Sequence, residues 1–281
     1  MLRKLQIETG SLEWLYTPDI EYIRYGDLSR KLQLILPYRW PWEEDERFPL
    51  VVYIPGSAFY RQEMHHHVPD YGKLAAYGYV VAAVQYRESE IVKFPGQIHD
   101  INNAVAFLKE HAAEYHIDPD RIFLMGHSSG AYNALMTGMT SGLSEFDLGM
   151  GHSFRGIVAA SAPSYLNYEP MIPDKGLTEY DPEWFRPELD MLGLGRFEED
   201  MALFQRARVE NYVNRNIPPV LLLHGDRDED VVVENSRKLY AALQRWGKDA
   251  EYYEIEGQGH GGPMLWDARL LDTVDTFLRG H

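Results

Sequence analysis

The stretch RIFLMGHSSGAYNA, residues 121–134, joins an apolar run to helix-forming residues through two serines that lie between two glycines. In a G-x-S-x-G pattern the chain turns from strand to helix within about one residue, so the backbone at the serine is strained and neighbouring β-carbons would collide. Gly126 and Gly130 remove those β-carbons. The pattern predicts that Ser128 stands above the end of a sheet as a candidate nucleophile, with the Ser129 amide facing any negative charge that forms beside it. The alternative interpretation is that small residues only let a helix pack close to a strand.

Apolar runs rich in valine and isoleucine recur along the chain, separated by longer segments with helical spacing. This alternation is typical of a parallel sheet covered by helices on both faces. We predict antiparallel edge strands over residues 21–26 and 31–37, and six parallel strands over 50–54, 79–86, 121–126, 155–161, 219–225 and 250–255. The carboxyl ends of parallel strands meet at one edge of the sheet, where such folds bind their ligands.

The clearest amphipathic helix is predicted over residues 96–115, where apolar side chains recur at steps of three and four. Two further helices are predicted over 235–247 and 264–280. Residues 164–216 interrupt the alternation because they are rich in proline, glycine and aromatic residues, with one good helical stretch over 197–213. We therefore expect a single α/β domain, residues 1–281, with a small cap insertion over 164–216.

A serine nucleophile needs a base and an acid that orients the base, and in this class of fold they follow later strands in the order Ser, Asp, His. The acidic segment DRDEDVVV follows the fifth predicted parallel strand, and Asp228 is its candidate acid, with Asp226, Glu229 and Asp230 as rivals. His260, among the glycines of EGQGHGG after the sixth strand, is the candidate base. Each residue alone is typical of a polar surface loop. Their shared position after strand ends, in this order, predicts a catalytic triad.

An oxyanion hole needs a second backbone amide, which normally comes from the loop after an earlier central strand. The segment YIPGSAFY, residues 53–60, is the candidate, because its small residues let the backbone approach a substrate oxygen. Ser57 and Ala58 are both candidate donors, and Ser129 is the other member of the pair.

The composition disfavours several other classes of function. The net charge of −16 would repel a polyanion, so neither nucleic acid nor an anionic membrane is expected as a partner. The absence of cysteine excludes disulfides, thiolate metal sites and a cysteine nucleophile. Three adjacent histidines, residues 65–67, cannot all face one ion on regular structure, so we expect no metal and no cofactor. No apolar run is long enough for a membrane span or a signal peptide, which favours a cytoplasmic location.

With these motifs in place, the sequence resembles the α/β-hydrolase superfamily, and within it the group that contains bifunctional feruloyl and acetyl xylan esterases, carboxylesterases and kynurenine formamidase-like enzymes. The likeness covers about residues 25–278 and rests on YGDLSRKLQLILP, VVYIPGSAF, YGYVVAAVQYR, FPGQIHDINNAVAFLKEHAAEYHIDPDRIFLMGHSSGAYNAL, PPVLLLHGDRDEDV and GQGHG. It implies that Ser128 is the nucleophile, Asp228 the acid of an H-G-x-x-D pattern and His260 the general base. The segment PGSA, residues 55–58, stands where the family often has H-G-G-G, and Val232 stands where a proline is usual.

The resemblance implies hydrolysis of carboxylic esters through an acyl-enzyme. A small-molecule or oligosaccharide ester is the implied substrate, for example an acetyl or feruloyl ester of plant-cell-wall saccharides. Two alternatives stay open: an arylformamidase-like amidase, and a catalytically silent binding protein with the hydrolase fold. A peptidase of the oligopeptidase type is not expected, because such enzymes carry a large additional domain. Both a monomer and a homodimer are compatible with the sequence.

Overall fold

The computed structural model describes residues 12–39, 45–164, 183, 185–261 and 265–281, and its centre is one eight-stranded sheet. In chain order the strands are β1 (Glu13–Tyr25), β2 (Leu28–Tyr38), β3 (Phe48–Ile54), β4 (Val80–Val84), β5 (Ile117–His127), β6 (Gly156–Ala160), β7 (Val220–Gly225) and β8 (Ala250–Ile255). Across the sheet they lie in the order β1-β2-β4-β3-β5-β6-β7-β8. Strand β2 pairs antiparallel with β1 and β4, and the remaining neighbours pair parallel. The prediction of six parallel strands preceded by antiparallel ones is confirmed.

Helices cover both faces of this sheet. They are α1 (Val68–Ala75), α2 (Gly96–Glu110), α3 (Ser129–Met139), α4 (Ser144–Asp147), α5 (Arg186–Leu192), α6 (Met201–Arg206), α7 (Glu234–Arg245) and α8 (Ala268–Gly280). Alternate residues of β3 enter two cores: Val52 and Ile54 pack with α2, α3 and α7, whereas Val51 and Tyr53 pack with α1 and α8. None of the helices in the described part of the chain is both long and apolar enough to cross a bilayer.

Several helices differ from the sequence predictions at their ends or in their presence. Helix α2 ends before residue 115, because the Ala112 carbonyl accepts a hydrogen bond from the Ile117 amide at the start of β5. Helix α8 begins after residue 264, because the Asp267 carboxylate caps it by accepting the Arg269 amide. Helix α1 was not predicted, although Pro69 in its first turn is a helix-start signal.

The predicted single helix over residues 197–213 is wrong. That stretch forms a 3₁₀ turn (Phe197–Asp200), then α6, then a second 3₁₀ turn (Val209–Tyr212). Asp200 interrupts the helix because its carboxylate accepts the Leu203 amide and so begins α6 as a separate element. Helix α5, which was not predicted, precedes them, and its Leu189 is buried on the α2 and α3 side of the sheet. Residues 165–182 and 184 of the predicted cap lie outside the described residues.

Candidate active site

The turn between β5 and α3 has the strained geometry that the G-x-S-x-G pattern predicts. Ser128 lies at φ 55° and ψ −128°, a conformation that residues with a β-carbon seldom adopt. A β-carbon on Gly126 would lie 2.4 Å from the Gly130 carbonyl oxygen, and one on Gly130 would lie 2.0 Å from the Ile54 carbonyl oxygen. Both glycines are therefore required by the close contact of β5, α3 and β3, and the alternative that they serve packing alone does not account for the backbone at Ser128.

Ser128, His260 and Asp228 form a continuous chain of hydrogen bonds at the carboxyl edge of the sheet. His260 Nε2 lies 2.9 Å from Ser128 Oγ, and His260 Nδ1 lies 2.8 Å from Asp228 Oδ2. With a proton on Nδ1, the imidazole donates to the carboxylate and its Nε2 accepts from the hydroxyl. Of the rival acids, Asp226 accepts the Gly257 amide instead, and Asp230 lines the adjoining cavity.

Asp228 is held as a carboxylate by several donors. Its Oδ1 accepts the amides of Asp230 and Val231, and its Oδ2 lies 3.2 Å from His224 Nε2 as well as beside His260. Burial alone would raise the pKa of Asp228, but hydrogen bonds from His224 and His260 hold that pKa well below its usual range. His224 is the histidine of the H-G-x-x-D pattern, and its position beside Asp228 was not predicted from sequence.

His127, the residue before the candidate nucleophile, packs against the candidate base. The two imidazole centroids lie 4.8 Å apart, and His127 Nε2 is buried with no hydrogen-bond partner among the described residues. Burial, reinforced by the positive charge that His260 would carry, lowers the pKa of His127 to about 3. His127 is therefore neutral near pH 7 and puts no cation beside the candidate base.

The loop after β3 holds the two candidate oxyanion donors in different states. The Ser57 amide donates to Ser129 Oγ at 2.9 Å. The Ala58 amide has no hydrogen-bond partner among the described residues, and Ala58 lies at φ 50°. Ser57, Ala58 and Ser129 all line one cavity with Ser128 and His260.

That cavity has a volume of about 570 Å³. Apolar side chains form part of its wall, among them Phe59, Pro163 and Val231. Helix α5 contributes Pro187 and Glu188 to the wall. The cavity is thus lined both by the candidate nucleophile and by described residues of the predicted cap.

The histidine run at residues 65–67 makes ordinary polar contacts. His65 Nδ1 lies 3.2 Å from the Tyr16 hydroxyl, and His67 Nδ1 lies 3.1 Å from Asp70 Oδ2. Within the described ranges, no group of three or more histidine, aspartate or glutamate side chains is arranged to hold a metal ion.

A mostly parallel eight-stranded sheet with these three residues at its carboxyl edge defines the class of protein: an α/β-hydrolase fold. The chain belongs to the BD-FAE family, whose model matches residues 38–243.

Curated relatives align with most of the chain. Esterase LipQ of Mycobacterium tuberculosis is 27% identical over 269 residues, which are 94% of this chain and 62% of that protein. The probable isoprenylcysteine alpha-carbonyl methylesterase ICMEL1 of Arabidopsis thaliana is 26% identical over 252 residues, 87% of this chain and 51% of that protein. The chain therefore spans less than two thirds of the length of these relatives.

Solved structures share the fold. A truncated carbohydrate esterase from gut microbiota superposes with a TM-score of 0.80 at 22% identity, covering 96% of this chain and 97% of that one. Propionate-bound esterase Est2 of Thermogutta terrifontis superposes with a TM-score of 0.73 at 23% identity, covering 93% of each chain. At this identity the likeness establishes the architecture.

Proposed function

We propose that this chain is a serine hydrolase that cleaves carboxylic esters through an acyl-enzyme intermediate. The observation that carries the proposal is the unbroken hydrogen-bond chain from Asp228 through His260 to Ser128, at 2.8 Å and 2.9 Å. The named relatives, an esterase and a probable methylesterase, support the same class of reaction.

In the proposed mechanism His260 Nε2 takes the proton of Ser128 as Oγ attacks the ester carbonyl, and then gives that proton to the leaving alcohol. Asp228 keeps the proton of His260 on Nδ1 and stabilises the imidazolium that forms. Water then attacks the acyl-enzyme by the same route and releases the acid.

We assign the oxyanion to the amides of Ala58 and Ser129. Ser57 and Ala58 were equal candidates from sequence, but the Ser57 amide already donates to Ser129 Oγ. A donor that is free before substrate binds costs no hydrogen bond when the oxyanion forms. Such a donor is worth about 3 kcal/mol of transition-state stabilisation.

The proposed substrates are small-molecule or oligosaccharide esters, with acetyl or feruloyl groups on saccharides as the first to test. The cavity of about 570 Å³ has room for an acyl group together with part of an alcohol. We propose that residues 164–216 act as a cap, since Pro187 and Glu188 of that segment line the cavity.

Labelling with a fluorophosphonate, read by mass spectrometry, tests the proposed nucleophile. We expect modification of Ser128, hydrolysis of p-nitrophenyl acetate, and loss of both in Ser128→Ala. A well-folded protein that neither reacts nor turns over esters would support the silent binding alternative. Faster turnover of N-formylkynurenine than of aryl acetates would support the amidase alternative.

A further inference from the structure

Helix α5 holds Glu188 rigidly at the wall of the active-site cavity. The Tyr60 hydroxyl donates to Asp190 Oδ2 at 2.7 Å, and the Lys93 ammonium donates to the Asp190 carbonyl at 2.8 Å. The Phe94 amide donates to the Met191 carbonyl at 2.9 Å. These bonds tie α5 to the segments on either side of β4, so the position of Glu188 is set by the framework of the protein.

The carboxyl of Glu188 is buried and incompletely paired. Its Oε2 has no hydrogen-bond partner among the described residues, while the group accepts a bond from its own backbone amide. Burial raises the pKa of Glu188 to about 7. Near neutral pH the group is therefore partly protonated, so it can donate as well as accept a hydrogen bond.

A buried polar atom without a partner is destabilising unless something else satisfies it. Glu188 is one of the residues that line the cavity containing Ser128 and His260, so its carboxyl is a candidate contact for a bound substrate. Glu183 and Asp230 also line this cavity, and none of the described lining residues is lysine or arginine. The site is therefore unfavourable for an anionic substrate and favourable for a hydrogen-bond donor.

We propose that Glu188 is a specificity-determining residue that binds a neutral hydroxyl group of the ester substrate. This inference rests on the proposed esterase function. A hydroxyl matches the site better than an ammonium group does, because a partly protonated carboxyl both donates and accepts, whereas an ammonium only donates. The hydroxyl belongs either to a polyol on the alcohol side of the ester or to a phenol on its acyl side.

Two pairs of esters that differ by hydroxyl groups separate these sources. Glycerol 1-acetate is compared with propyl acetate, and methyl 4-hydroxycinnamate with methyl cinnamate, by kcat/KM in the intact chain. We expect the hydroxylated member of one pair to be preferred by at least about 10-fold, as is usual where a buried polar group would otherwise stay unpaired. The pair that shows the preference identifies the source of the hydroxyl.

Substitution of Glu188 tests whether it causes that preference. We expect Glu188→Leu to remove the preference by lowering kcat/KM for the hydroxylated ester much more than for its unhydroxylated partner. We expect Glu188→Gln to keep part of the preference, since an amide still donates and accepts. Glu210→Gln is the matched control. Glu210 Oε2 is likewise buried and without a partner among the described residues, but Glu210 does not line this cavity. We expect Glu210→Gln to keep the full preference.

The outcomes against the proposal are distinct. Equal turnover within both pairs, or a preference that survives Glu188→Leu in protein with an unchanged melting temperature, overturns the role of Glu188 alone. If Glu188→Leu does not fold, the same comparison with Glu188→Gln decides. An undiminished preference in Glu188→Gln then overturns the role of Glu188. A Glu188-dependent preference for acetylcholine over 3,3-dimethylbutyl acetate assigns the site to a cation and overturns the hydroxyl. No turnover of any ester together with no labelling of Ser128 overturns the esterase function itself.

Discussion

The Ser57 amide donates a hydrogen bond to Ser129 Oγ at 2.9 Å, and this bond joins the loop after β3 to the first turn of α3. The buried Tyr86 hydroxyl lies 3.0 Å from Ser57 Oγ and 3.3 Å from Ser129 Oγ, and it donates to the Pro55 carbonyl at 3.2 Å. One buried network thus holds both segments that carry the proposed oxyanion donors. It anchors the loop although proline occupies position 55, where the resemblance suggests a histidine.

Removal of the Ser129 hydroxyl, which accepts the Ser57 amide, should impair the chemical step. We expect Ser129→Ala to lower kcat roughly 10-fold with little change in KM, because the Ser57 amide loses its partner and the neighbouring Ala58 amide loses its fixed orientation. Steady-state kinetics on p-nitrophenyl acetate measure this. Thr137→Val on the same helix is the control, since the buried Thr137 hydroxyl has no partner among the described residues. An unchanged kcat in Ser129→Ala would show that the network does not position the donors.

Replacement of the acid should nearly abolish turnover. Asp228→Asn places an amide against His260 Nδ1, which favours the tautomer with its proton on Nε2 and removes the acceptor for the Ser128 proton. We expect kcat to fall by about 10³–10⁴-fold. Asp226→Asn serves as the comparison, because the Asp226 carboxylate accepts the Gly257 amide and contacts neither His260 nor Ser128 among the described residues. Its effect should stay below about 10-fold. Comparable losses in the two variants would argue against Asp228 as the orienting acid.

His127 should make the protein sensitive to acid. Its pKa of about 3 in the folded state lies below the ordinary 6.5, so the unfolded chain binds more protons, and stability is lost as the pH falls from 6.5 towards 3. Between pH 7 and pH 5 this costs about 2 kcal/mol. We expect His127→Gln to lose correspondingly less free energy of unfolding over that interval, measured by urea titration. The same substitution at the exposed His66 should leave the pH dependence as in the parent.

Glu188 should produce the opposite dependence. Its folded pKa of about 7 lies above the ordinary 4.5, so the folded chain binds more protons, and stability is lost as the pH rises from 4.5 through 7. We expect Glu188→Gln to gain about 2–3 kcal/mol relative to the parent when the pH is raised from 4.5 to 8. Urea titrations at the two pH values measure the difference. Glu198→Gln, at an exposed position nearby, provides the reference, and an identical pH response in all three proteins would mean that Glu188 is not desolvated.

Local patterns in the sequence predict most of the fold. The apolar runs predict β3 to β7 because a strand covered on both faces must be apolar on both. Residues 250–255 match β8 at both ends, although this edge strand contains two glutamates and is largely exposed. The helix ends were less predictable. The break at Asp200 and the early end of α2 depend on hydrogen bonds to particular backbone groups, which periodicity does not reveal.

Some residues of the candidate site could be identified from the sequence, and others could not. Ser128, Asp228 and His260 were identifiable because each follows a strand end, and the order of strands along the chain is visible in the sequence. His224 was missed because its importance lies in its contact with Asp228, which only the folded chain shows. Glu188 was missed because it lies in a segment without a recognisable sequence motif, although it lines the cavity.

The sequence by itself determined the alternation of strands and helices, the sharp turn at Ser128 and the order of the three candidate residues, because these follow from side-chain size, polarity and spacing along the chain. Only the tertiary structure decided that the Ser57 amide is engaged, that the Ala58 amide has no hydrogen-bond partner in the described part of the chain, and that Glu188, with its Oε2 buried, lines the cavity. The reason is physical: hydrogen bonding and desolvation depend on which distant segments come within about 3 Å of a group.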